Sequence, residues 1–309
     1  MNKDGPDNQL PLPLFAKEAK RVGELQKKSL VKESLTFSCG ANYVSEMQNG
    51  LPNGTGVLSF KGSSHHYSGE LVDGLPQGKG TLDLGDGNRL TGEFTGVDWD
   101  LSYGTINYAH GAEYRGEIHD YGPHGYGTWT STNGYKYEGE WKDCVRHGQG
   151  TGHYRNGDQY IGQFIEDKIC GQGTVTYSDG TQYVGEWLDG KPDGQGMVVY
   201  PDGATAVGKY RNGKPHGRII STFNGSVKKQ TGDYKNGKKH GQEKSEFVCG
   251  STCTRRFKDG VGHGQARWVM HDGSQITQEW KKGVLIDETF FDSNGDVWVP
   301  ELDELSDKT

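Results

Sequence analysis

Apolar and polar positions alternate in a short segment that recurs along the chain. Tyr137-Glu-Gly-Glu-Trp141 and Tyr183-Val-Gly-Glu-Trp187 are two of its copies. Successive side chains of a strand point to opposite faces, so the tyrosine, the glycine and the second aromatic share one face and the glutamate lies on the other. The pattern predicts a β-strand buried on one face.

This segment recurs at a fixed spacing. Copies that begin at Tyr114, Tyr137, Tyr160 and Tyr183 are 23 residues apart. The same frame continues in both directions at steps of 23 or 24, with starts at Tyr43, Tyr67, Leu90, Ala206, Gln230, Cys253 and Ile276. A fixed period of this length indicates a repeat architecture with eleven repeats, the last incomplete, from Tyr43 to about Ile286.

Each repeat also contains a second strand pattern and two turns. Gly173-Thr-Val-Thr-Tyr177 is an example of the second strand, and Asp-Gly or Asn-Gly pairs such as Asp179-Gly180 follow it. Two short strands with a turn after each predict one hairpin per repeat and a meander for the whole array.

The repeated pattern resembles the MORN repeat, the membrane occupation and recognition nexus. Its consensus, roughly YxGxWxxGxxHGxGxxxxxxGxxY, fits Tyr137-Glu-Gly-Glu-Trp141 followed by His147, Gly148, Gly150 and Gly157. The resemblance covers about four-fifths of the chain. It implies a scaffold at cytoskeletal structures or membrane junctions, similar to the all-repeat scaffolds of ciliary radial spokes and axonemes. In that family some members dimerise and some bind helices in a groove.

The predicted fold is all-β: an elongated single-layer antiparallel meander of about eleven 23-residue hairpins, with a short N-terminal helix. We expect three regions. Residues 1–42 form an N-terminal segment with an amphipathic helix between Leu14 and Val31, 43–286 form the repeat array, and 287–309 form a final hairpin at Asn294-Gly295 and an acidic tail. The helix is expected to cover the first sheet edge, with docking on another protein as the alternative.

Some repeats depart from the pattern. The third lacks its usual turn glycines after Leu90-Thr-Gly-Glu-Phe94 and has one extra residue, so we expect a bulge or bend near Trp99. Glu243 and Ala266 stand where other repeats have Gly150 and Gly173. These losses predict looser packing towards the C-terminal end.

Composition excludes several classes of protein. Glycine accounts for 50 of the 309 residues and hydrophobic residues for only 31%, which is incompatible with the long aliphatic runs of a doubly wound α/β enzyme. Five cysteines without a secretory signal favour a reducing cytosolic compartment. Cys249 and Cys253 have no second pair at metal spacing, so a zinc site is disfavoured.

Two columns of ionisable residues invite a catalytic interpretation. His124, His147, His216, His240 and His263 occupy one position of their repeats, but adjacent repeats lie ~9.6 Å apart, too far to share a metal ion. The second column consists of glutamates, and the repeat gives each of them the same environment. A catalytic acid and a catalytic base need different environments, so this column is not expected to be catalytic. We interpret it as a solvated face with Lys and Arg partners; its members are Glu46, Glu70, Glu93, Glu117, Glu140, Glu186 and Glu279, with Asp233 in register. Neither catalysis, a metal nor a cofactor is expected.

Charge is distributed unevenly. Tyr43 to Thr205 contains 10 basic and 22 acidic residues, whereas Ala206 to Leu285 contains 16 basic and 6 acidic residues. The predicted basic patch consists of Lys228, Lys229, Lys235, Lys238, Lys239, Lys244, Arg255 and Arg256. Such a patch attracts acidic surfaces, and three occupants stay open: the tail after Pro300 in cis, an acidic protein partner, or anionic membrane and nucleic acid. Nucleic acid is the least favoured, because the net charge is −7 and few aromatics interleave with the lysines.

The leading hypothesis is a non-enzymatic scaffold that holds other proteins along a groove. Its predicted anchors are Tyr114, Tyr137, Trp141, Tyr160, Phe164, Tyr183, Trp187 and Tyr210. We expect acidic segments or helices of axonemal or cytoskeletal proteins as partners, and a homodimer is compatible with the unlike charges of the two ends. By resemblance, the location is the cytoplasm and cytoskeleton, in the axoneme of a cilium or flagellum. The alternative is a peripheral membrane tether that binds anionic phospholipid through the basic C-terminal repeats.

Overall fold

The computed structural model describes residues 31–36, 42–59, 62, 64–96 and 101–298. Within these ranges the regular structure consists of strands, and all strand pairings are antiparallel, so the predicted all-β antiparallel arrangement is confirmed. No helix in the described ranges has the length and apolar content to cross a bilayer. The predicted N-terminal helix and the bulge predicted near Trp99 fall outside the described residues.

The described chain divides into two compact units. The first contains the described residues up to Arg155 together with Ile165–Asp167. Its strands are β1 (Val31–Thr36), β2 (Asn42–Gln48), β3 (Leu51–Ser59), β4 (His66–Val72), β5 (Leu75–Asp83), β6 (Arg89–Thr95), β7 (Leu101–Asn107), β8 (Glu113–His119), β9 (Gly122–Thr130), β10 (Lys136–Lys142) and β11 (Val145–His153). Consecutive strands pair in chain order from β1 to β11, which makes a meander.

The second compact unit contains β12, except for its last residue Ile165, and the strands that follow it. They are β12 (Gln159–Ile165), β13 (Lys168–Thr176), β14 (Gln182–Leu188), β15 (Lys191–Val199), β16 (Thr205–Arg211), β17 (Lys214–Thr222), β18 (Val227–Lys235), β19 (Lys238–Phe247), β20 (Thr252–Lys258), β21 (Val261–Gly262), β22 (Gly264–Val269), β23 (Gln275–Lys281), β24 (Val284–Phe291) and β25 (Val297–Trp298). From β13 onward neighbours in sequence pair, except that β20 pairs with both β21 and β22, which flank His263.

A register shift recurs in the hairpins at the glutamate position of the repeat. In β10 it falls between Gly139 and Trp141, so Glu140 has no partner in β11. The same shift occurs between Gly185 and Trp187 and between Gly208 and Tyr210. A bulge of this kind increases the local twist of the sheet and re-aims one side chain.

The core of each regular repeat is a tyrosine ring lying on two paired glycines, which we call the ring–glycine pair. Gly139 and Gly150 are partners in β10 and β11. A Cβ atom built on Gly150 would lie 2.4 Å from the hydroxyl oxygen of Tyr137, and one on Gly139 would lie 2.7 Å from it. Side chains at either position would displace the ring, so glycine is required here by close approach.

Aromatic side chains join each repeat to the next. The ring of Trp141 lies edge-on to Tyr114 at 5.3 Å and to Tyr137 at 5.2 Å between centroids. Trp187 makes the same two contacts with Tyr160 and Tyr183. Edge-to-face pairs at these distances add about 0.5–1.5 kcal/mol each beyond the area they bury. The predicted tyrosine face therefore exists, and neighbouring repeats stabilise one another through it.

Later repeats replace the ring–glycine pair by pairs of other sizes. Ala206 stands at the tyrosine position of its repeat, and Ile219 stands at the glycine position. The next two repeats have Gln230 with Glu243 and Cys253 with Ala266. Ile219, Glu243 and Ala266 are all buried, because the small or flexible partner leaves room for them. Glu243 and Ala266 are thus packed within their own repeats, whereas no described side chain after Ala266 is buried, in agreement with the looser packing expected towards the C-terminal end.

We expect Gly150→Ala to destabilise the protein by about 1–3 kcal/mol, because its methyl group must displace the ring of Tyr137. The matched control is Gly225→Ala, where an added Cβ meets no atom within 4 Å and φ is not positive. We expect this control to stay within about 0.5 kcal/mol of the parent. Urea denaturation followed by tryptophan fluorescence measures both, and equal losses would contradict the packing explanation.

Candidate partner-binding surfaces

The eight aromatics predicted to anchor a partner are all buried. Tyr114, Tyr137 and Phe164 are 0% exposed, and Trp141, the most exposed of the eight, is 8% exposed. The tyrosine hydroxyl groups form hydrogen bonds within the fold. The hydroxyl of Tyr114, for example, donates to the carbonyl oxygens of Glu117 at 2.6 Å and His124 at 3.1 Å. Burial raises the pKa of Tyr210 to about 12. These rings stabilise the sheet, and their role as partner anchors stays a prediction.

The glutamate column faces solvent as expected, with Glu117 and Glu140 exposed, but several of its members accept backbone N–H groups in place of the expected Lys and Arg partners. The backbone N–H of Gln149 donates to Oε1 of Glu140 at 2.7 Å, and the N–H of Gln195 donates to Oε1 of Glu186 at 2.9 Å. Glu117 accepts from Tyr126 in the same way at 2.8 Å. The bulge leaves a backbone N–H of the neighbouring strand without an acceptor in the ladder. The carboxylate of the glutamate accepts this N–H instead. Of the column, Asp233 has an arginine partner, Arg218 at 3.3 Å.

The histidine column connects successive turns. Nδ1 of His216 accepts the N–H of Asn236 at 3.4 Å, and Nδ1 of His240 lies 3.2 Å from Asp259. Asp193, at the same position, accepts the N–H of Asn212 at 3.0 Å. A side chain with an acceptor atom satisfies the next turn, which explains why His and Asp share the position. No group of three or more potential ligands in the described ranges is placed to hold a metal ion.

The two cysteines considered for zinc lie in different environments. Cys253 is buried, and loss of solvation raises the pKa of its thiol to about 11. Cys249 is exposed, its sulfur lies 3.3 Å from Oγ of Ser251, and hydrogen bonds from the side chain and the backbone of Ser251 lower the pKa of the Cys249 thiol. Both are free thiols. The pair thus supplies one buried and one exposed thiol.

The predicted basic patch is divided between the two faces of the sheet. Lys239 and Arg255 point to the tyrosine face, where both form ion pairs with the buried Glu243. Lys239 also lies 5.2 Å from the ring centroid of Phe257. Burying a carboxylate requires such compensation, so these two cations have a structural role. Lys229, Lys244 and Arg256 lie on the opposite face.

Of the remaining members of the patch, Lys235 and Lys238 lie at a turn within a repeat, whereas Lys228 lies at the other end of β18, where its carbonyl oxygen accepts the N–H of Phe223 at 3.3 Å. Arg211 is directly paired with Lys214, and Lys235 with Lys238. Successive turns are hydrogen-bonded, since the N–H of Gly237 donates to the carbonyl oxygen of Pro215 at 2.8 Å. We call this line the basic turn edge; it comprises Lys191, Arg211, Lys214, Lys235, Lys238 and Lys258. Like charges directly opposite one another destabilise a hairpin, so this arrangement is not explained by folding.

An exposed apolar row crosses the face opposite the tyrosines. Val184 pairs with Met197, Met197 with Val207, and Val207 with Ile220, so the four side chains lie side by side on β14 to β17. Val184, Val207 and Ile220 are 39%, 43% and 40% exposed. We call these four residues the aliphatic row. Sequence reasoning missed it, because the row runs across strands and appears only once their register is known.

The repeat pattern and its packing agree with a known protein family. The family model of the MORN repeat matches residues 43–64, 67–89, 114–134, 137–159, 160–182, 183–205, 207–218 and 231–242, which together make up just over half of the chain. The chain belongs to the MORN-repeat family. The eight matched segments include every MORN repeat that has an intact ring–glycine pair. No curated protein sequence matches the chain.

Two of the solved structures that match this MORN-repeat protein share little of its sequence or backbone geometry. The TCP domain of Drosophila melanogaster SAS-4, in complex with a proline-rich motif of Ana2, is 16% identical with a TM-score of 0.32, covering 51% of this chain and 85% of that one. A mutant of the TCP10 domain of Danio rerio CPAP is 13% identical with a TM-score of 0.21, covering 86% and 97%. Both TM-scores are too low to carry an argument.

A pocket of about 450 Å³ distinguishes the first compact unit from a plain MORN array. Its aromatic walls include Tyr108, Trp129 and Tyr135, and Arg146 lies beside them. Arg146 donates through Nη1 to the hydroxyl of Tyr135 at 2.6 Å and through Nε to Asp167 at 2.9 Å. In the sequence, the feature that could have indicated this pocket is Trp129, because the following repeats have the smaller residues Gly152, Val175 and Val198 at the same position.

We expect Glu140→Ala to lower the free energy of unfolding by about 1 kcal/mol, because the N–H of Gln149 loses a charged acceptor. Glu140→Gln keeps an acceptor and should lose less. Glu138→Ala is the matched control on the same strand and face; its carboxylate forms an exposed ion pair with Lys136 at 3.2 Å, worth little. Chemical denaturation compares the three, and an equal cost for Glu138→Ala would contradict the bracing role of Glu140.

Proposed function

We propose that this MORN-repeat protein is a non-enzymatic scaffold that holds other proteins on the exposed face of its sheet. The aliphatic row is the observation that carries the proposal. Four adjacent strands expose aliphatic side chains to solvent, and a folded protein gains no stability from this exposure. Apolar surface of this kind, bordered by polar residues, is typical of protein interaction sites.

The arrangement of ionisable residues supports a binding function over catalysis. The glutamates and histidines that could supply acid–base chemistry accept backbone N–H groups, and equivalent residues recur in equivalent environments. An acid and a base need environments that separate their pKa values. Arrays of MORN repeats are typically non-catalytic.

The proposed location is the axoneme of a cilium or flagellum, with axonemal or cytoskeletal proteins as partners. Resemblance to the all-repeat MORN scaffolds of radial spokes supports this placement. Function follows from a site more than from a fold, so the partner surface is the feature to test first.

Proximity labelling with the full chain in ciliated cells tests the scaffold proposal. We expect a reproducible set of labelled proteins that stays with the axoneme after detergent extraction. The control is the chain with the aliphatic row changed by Val184→Thr, Val207→Thr and Ile220→Thr, which should lose part of that set. A chain that is fully extracted by detergent and labels no more than a free labelling enzyme would overturn the proposal.

A second candidate function is peripheral membrane binding, and the basic turn edge favours it. The exposed aliphatic side chains of Leu188 and Val261 lie on this edge among the lysines. Basic residues near an anionic membrane contribute about 1 kcal/mol each, and aliphatic side chains add insertion. Lys239 and Arg255, which belong to the basic patch predicted from the sequence, form ion pairs with Glu243 and therefore do not contribute to this membrane-binding edge.

Co-sedimentation with phosphatidylserine vesicles tests this second candidate. The combined variant Arg211→Ala, Lys214→Ala, Lys235→Ala and Lys238→Ala should bind at least about thirty-fold more weakly, because four charges leave one edge. The control removes four charges from the first compact unit, through Lys79→Ala, Arg115→Ala, Lys142→Ala and Arg155→Ala. Equal weakening by both variants would indicate only a net-charge effect and would reject the basic turn edge as a lipid site.

A further inference from the structure

The pocket of the first compact unit, which we call the aromatic pocket, is built from residues that depart from the repeat. Its lining includes Tyr108, Tyr121, Trp129, Tyr135, Arg146 and Asp167. Arg146 stands where five other repeats have a proline at the same cross-strand position, namely Pro52, Pro76, Pro123, Pro192 and Pro215. Tyr135 stands where the adjacent repeats have Ala112 and Asp158. Other repeats fold without these side chains, so their presence here needs another explanation.

Three successive turns beside the aromatic pocket carry side chains where the other turns have glycine. At this turn position φ lies between 74° and 90° in seven repeats, in which the residues are Gly50, Gly74, Gly190, Gly213, Gly237, Gly260 and Gly283. Tyr121, Cys144 and Asp167 occupy the same position with φ of 59°, 66° and 67°. A side chain is strained in this left-handed region, and all three residues line the pocket. Among the described turns, strain at this position is confined to those that line the pocket.

Two hydrogen-bond donors of the aromatic pocket lack a partner. The indole N–H of Trp129 and the hydroxyl of Tyr108 have no hydrogen-bond partner among the described residues. By contrast, the indole N–H of Trp141 donates to the carbonyl oxygen of Gly127 at 3.2 Å. Burial raises the pKa of Tyr108, so its hydroxyl keeps its proton and acts as a donor. A ligand of this pocket therefore needs acceptors for both groups.

The lining of the aromatic pocket carries no net charge. Nε of Arg146 and Oδ1 of Asp167 form an ion pair at 2.9 Å, which neutralises both side chains. Burial raises the pKa of the Cys144 thiol, and the nearby carboxylates of Asp143 and Asp120 raise it further, so the thiol is neutral. A cationic ligand would lie beside Arg146, and an anionic ligand would lie beside the carboxylates. The pocket therefore suits an uncharged ligand.

The rings of the aromatic pocket are inclined to one another. The centroids of Tyr108 and Trp129 lie 4.9 Å apart with the rings at 55°, and those of Trp129 and Trp141 lie 6.3 Å apart with the rings at 43°. Inclined rings leave wedge-shaped gaps, which fit a compact saturated ring better than a flat ligand. The lining residues come from four successive repeats, those that begin at Leu90, Tyr114, Tyr137 and Tyr160. An extended ligand that crosses the strands can therefore contact several of them.

Proline meets each of these requirements. It has no N–H, so a proline-rich segment offers carbonyl acceptors to Trp129 and Tyr108 and buries few unpaired donors of its own. Its polyproline II helix has three residues per turn at 3.1 Å per residue, so prolines at i and i+3 lie ~9.3 Å apart. This distance is close to the ~9.6 Å between successive repeats. Such a segment can therefore present one proline to each repeat that it crosses.

We propose that the aromatic pocket binds an uncharged proline-rich segment of a partner protein in the polyproline II conformation. The segment lies on the tyrosine face, because Trp129 is paired directly with Tyr137 and shares its face. A proline ring packs against Trp129 and Tyr108, whose N–H and O–H groups donate to backbone carbonyl oxygens of the segment. This site goes beyond the scaffold proposed above, since the aliphatic row lies on the opposite face.

Peptide binding to the full chain, measured by fluorescence anisotropy, tests the proposal. The probe is a labelled, uncharged peptide with proline at every third position and alanine or serine between; two comparison peptides replace each proline by leucine or by lysine. At ~0.15 M salt, where long-range attraction is screened, we expect the proline peptide to bind at least about tenfold more tightly than either. Equal or tighter binding of the leucine or lysine peptide would overturn the proposal. Failure of the proline peptide to bind at about 1 mM would overturn it too.

Matched tryptophan substitutions locate the site. Trp129→Val introduces the residue type that Val175 provides at this position, and should weaken binding of the proline peptide at least about tenfold. The control is Trp268→Val. Trp268 occupies the same position of its repeat in the second compact unit, where it pairs with Cys253. This control should bind the peptide as the parent does.

Two further variants test the unpartnered hydroxyl and the strained turn. Tyr108→Phe keeps the ring and removes the donor, so it should weaken binding about three- to tenfold. Cys144→Gly restores the glycine of the other turns. It should weaken binding at least about threefold without lowering the urea midpoint, because glycine adopts the left-handed conformation without strain. A large loss of stability with unchanged binding would show that this side chain serves folding, and would overturn its assignment to the site.

The remaining outcomes separate this site from the scaffold. Urea denaturation checks that each variant is folded, and Tyr108→Phe carries the test if Trp129→Val is not. Unchanged binding by Trp129→Val, or equal weakening by Trp268→Val, would overturn the assignment to the aromatic pocket. The threonine variant of the aliphatic row should bind the proline peptide as the parent does, and a loss of binding there would contradict a site on the tyrosine face. A chain that binds the peptide but labels no axonemal proteins in cells fails the scaffold, while the pocket stands.

Discussion

The contact between a tyrosine ring and two paired glycines is the constraint on which the rest of the sheet depends. The hydroxyl of Tyr137 lies where the side chains of residues 139 and 150 would otherwise be, so both must be glycine. The ring is then fully buried, although each repeat contributes only two strands. Trp141 closes the space between this ring and that of Tyr114. This packing explains how a chain with few aliphatic residues forms a core.

The bulge that accompanies this packing determines the role of the ionisable residues. Leaving Glu140 out of the ladder frees its carboxylate to accept the N–H of Gln149. His216 and Asp193 satisfy the N–H groups of the next turn. Residue types that resemble catalytic or metal-binding groups in the sequence therefore serve as backbone acceptors. Their periodic recurrence reflects the periodic need for an acceptor in each repeat.

The two faces of the sheet are subject to different constraints. On the tyrosine face a change in one residue requires a change in its partner, as the pairs Ala206 with Ile219 and Gln230 with Glu243 illustrate. On the opposite face the glutamate column recurs because it accepts backbone N–H groups, but the other positions have no comparable packing and differ from repeat to repeat. Threonine dominates this face in the first compact unit, and the aliphatic row replaces it on β14 to β17. Partner specificity is therefore expected at the positions of this face that folding leaves unconstrained.

The sequence by itself determined the repeat, its strands and the tyrosine face, because period, alternation and turn residues are local properties of the chain. The same local properties were enough to indicate the MORN family. Tertiary structure decided which side chains meet. The sequence shows Arg255 as one more cation, and only the pairing of β19 with β20 brings it to the buried Glu243. It shows Val184, Met197, Val207 and Ile220 as scattered apolar residues, and only the register aligns them, since cross-strand neighbours are distant in the chain.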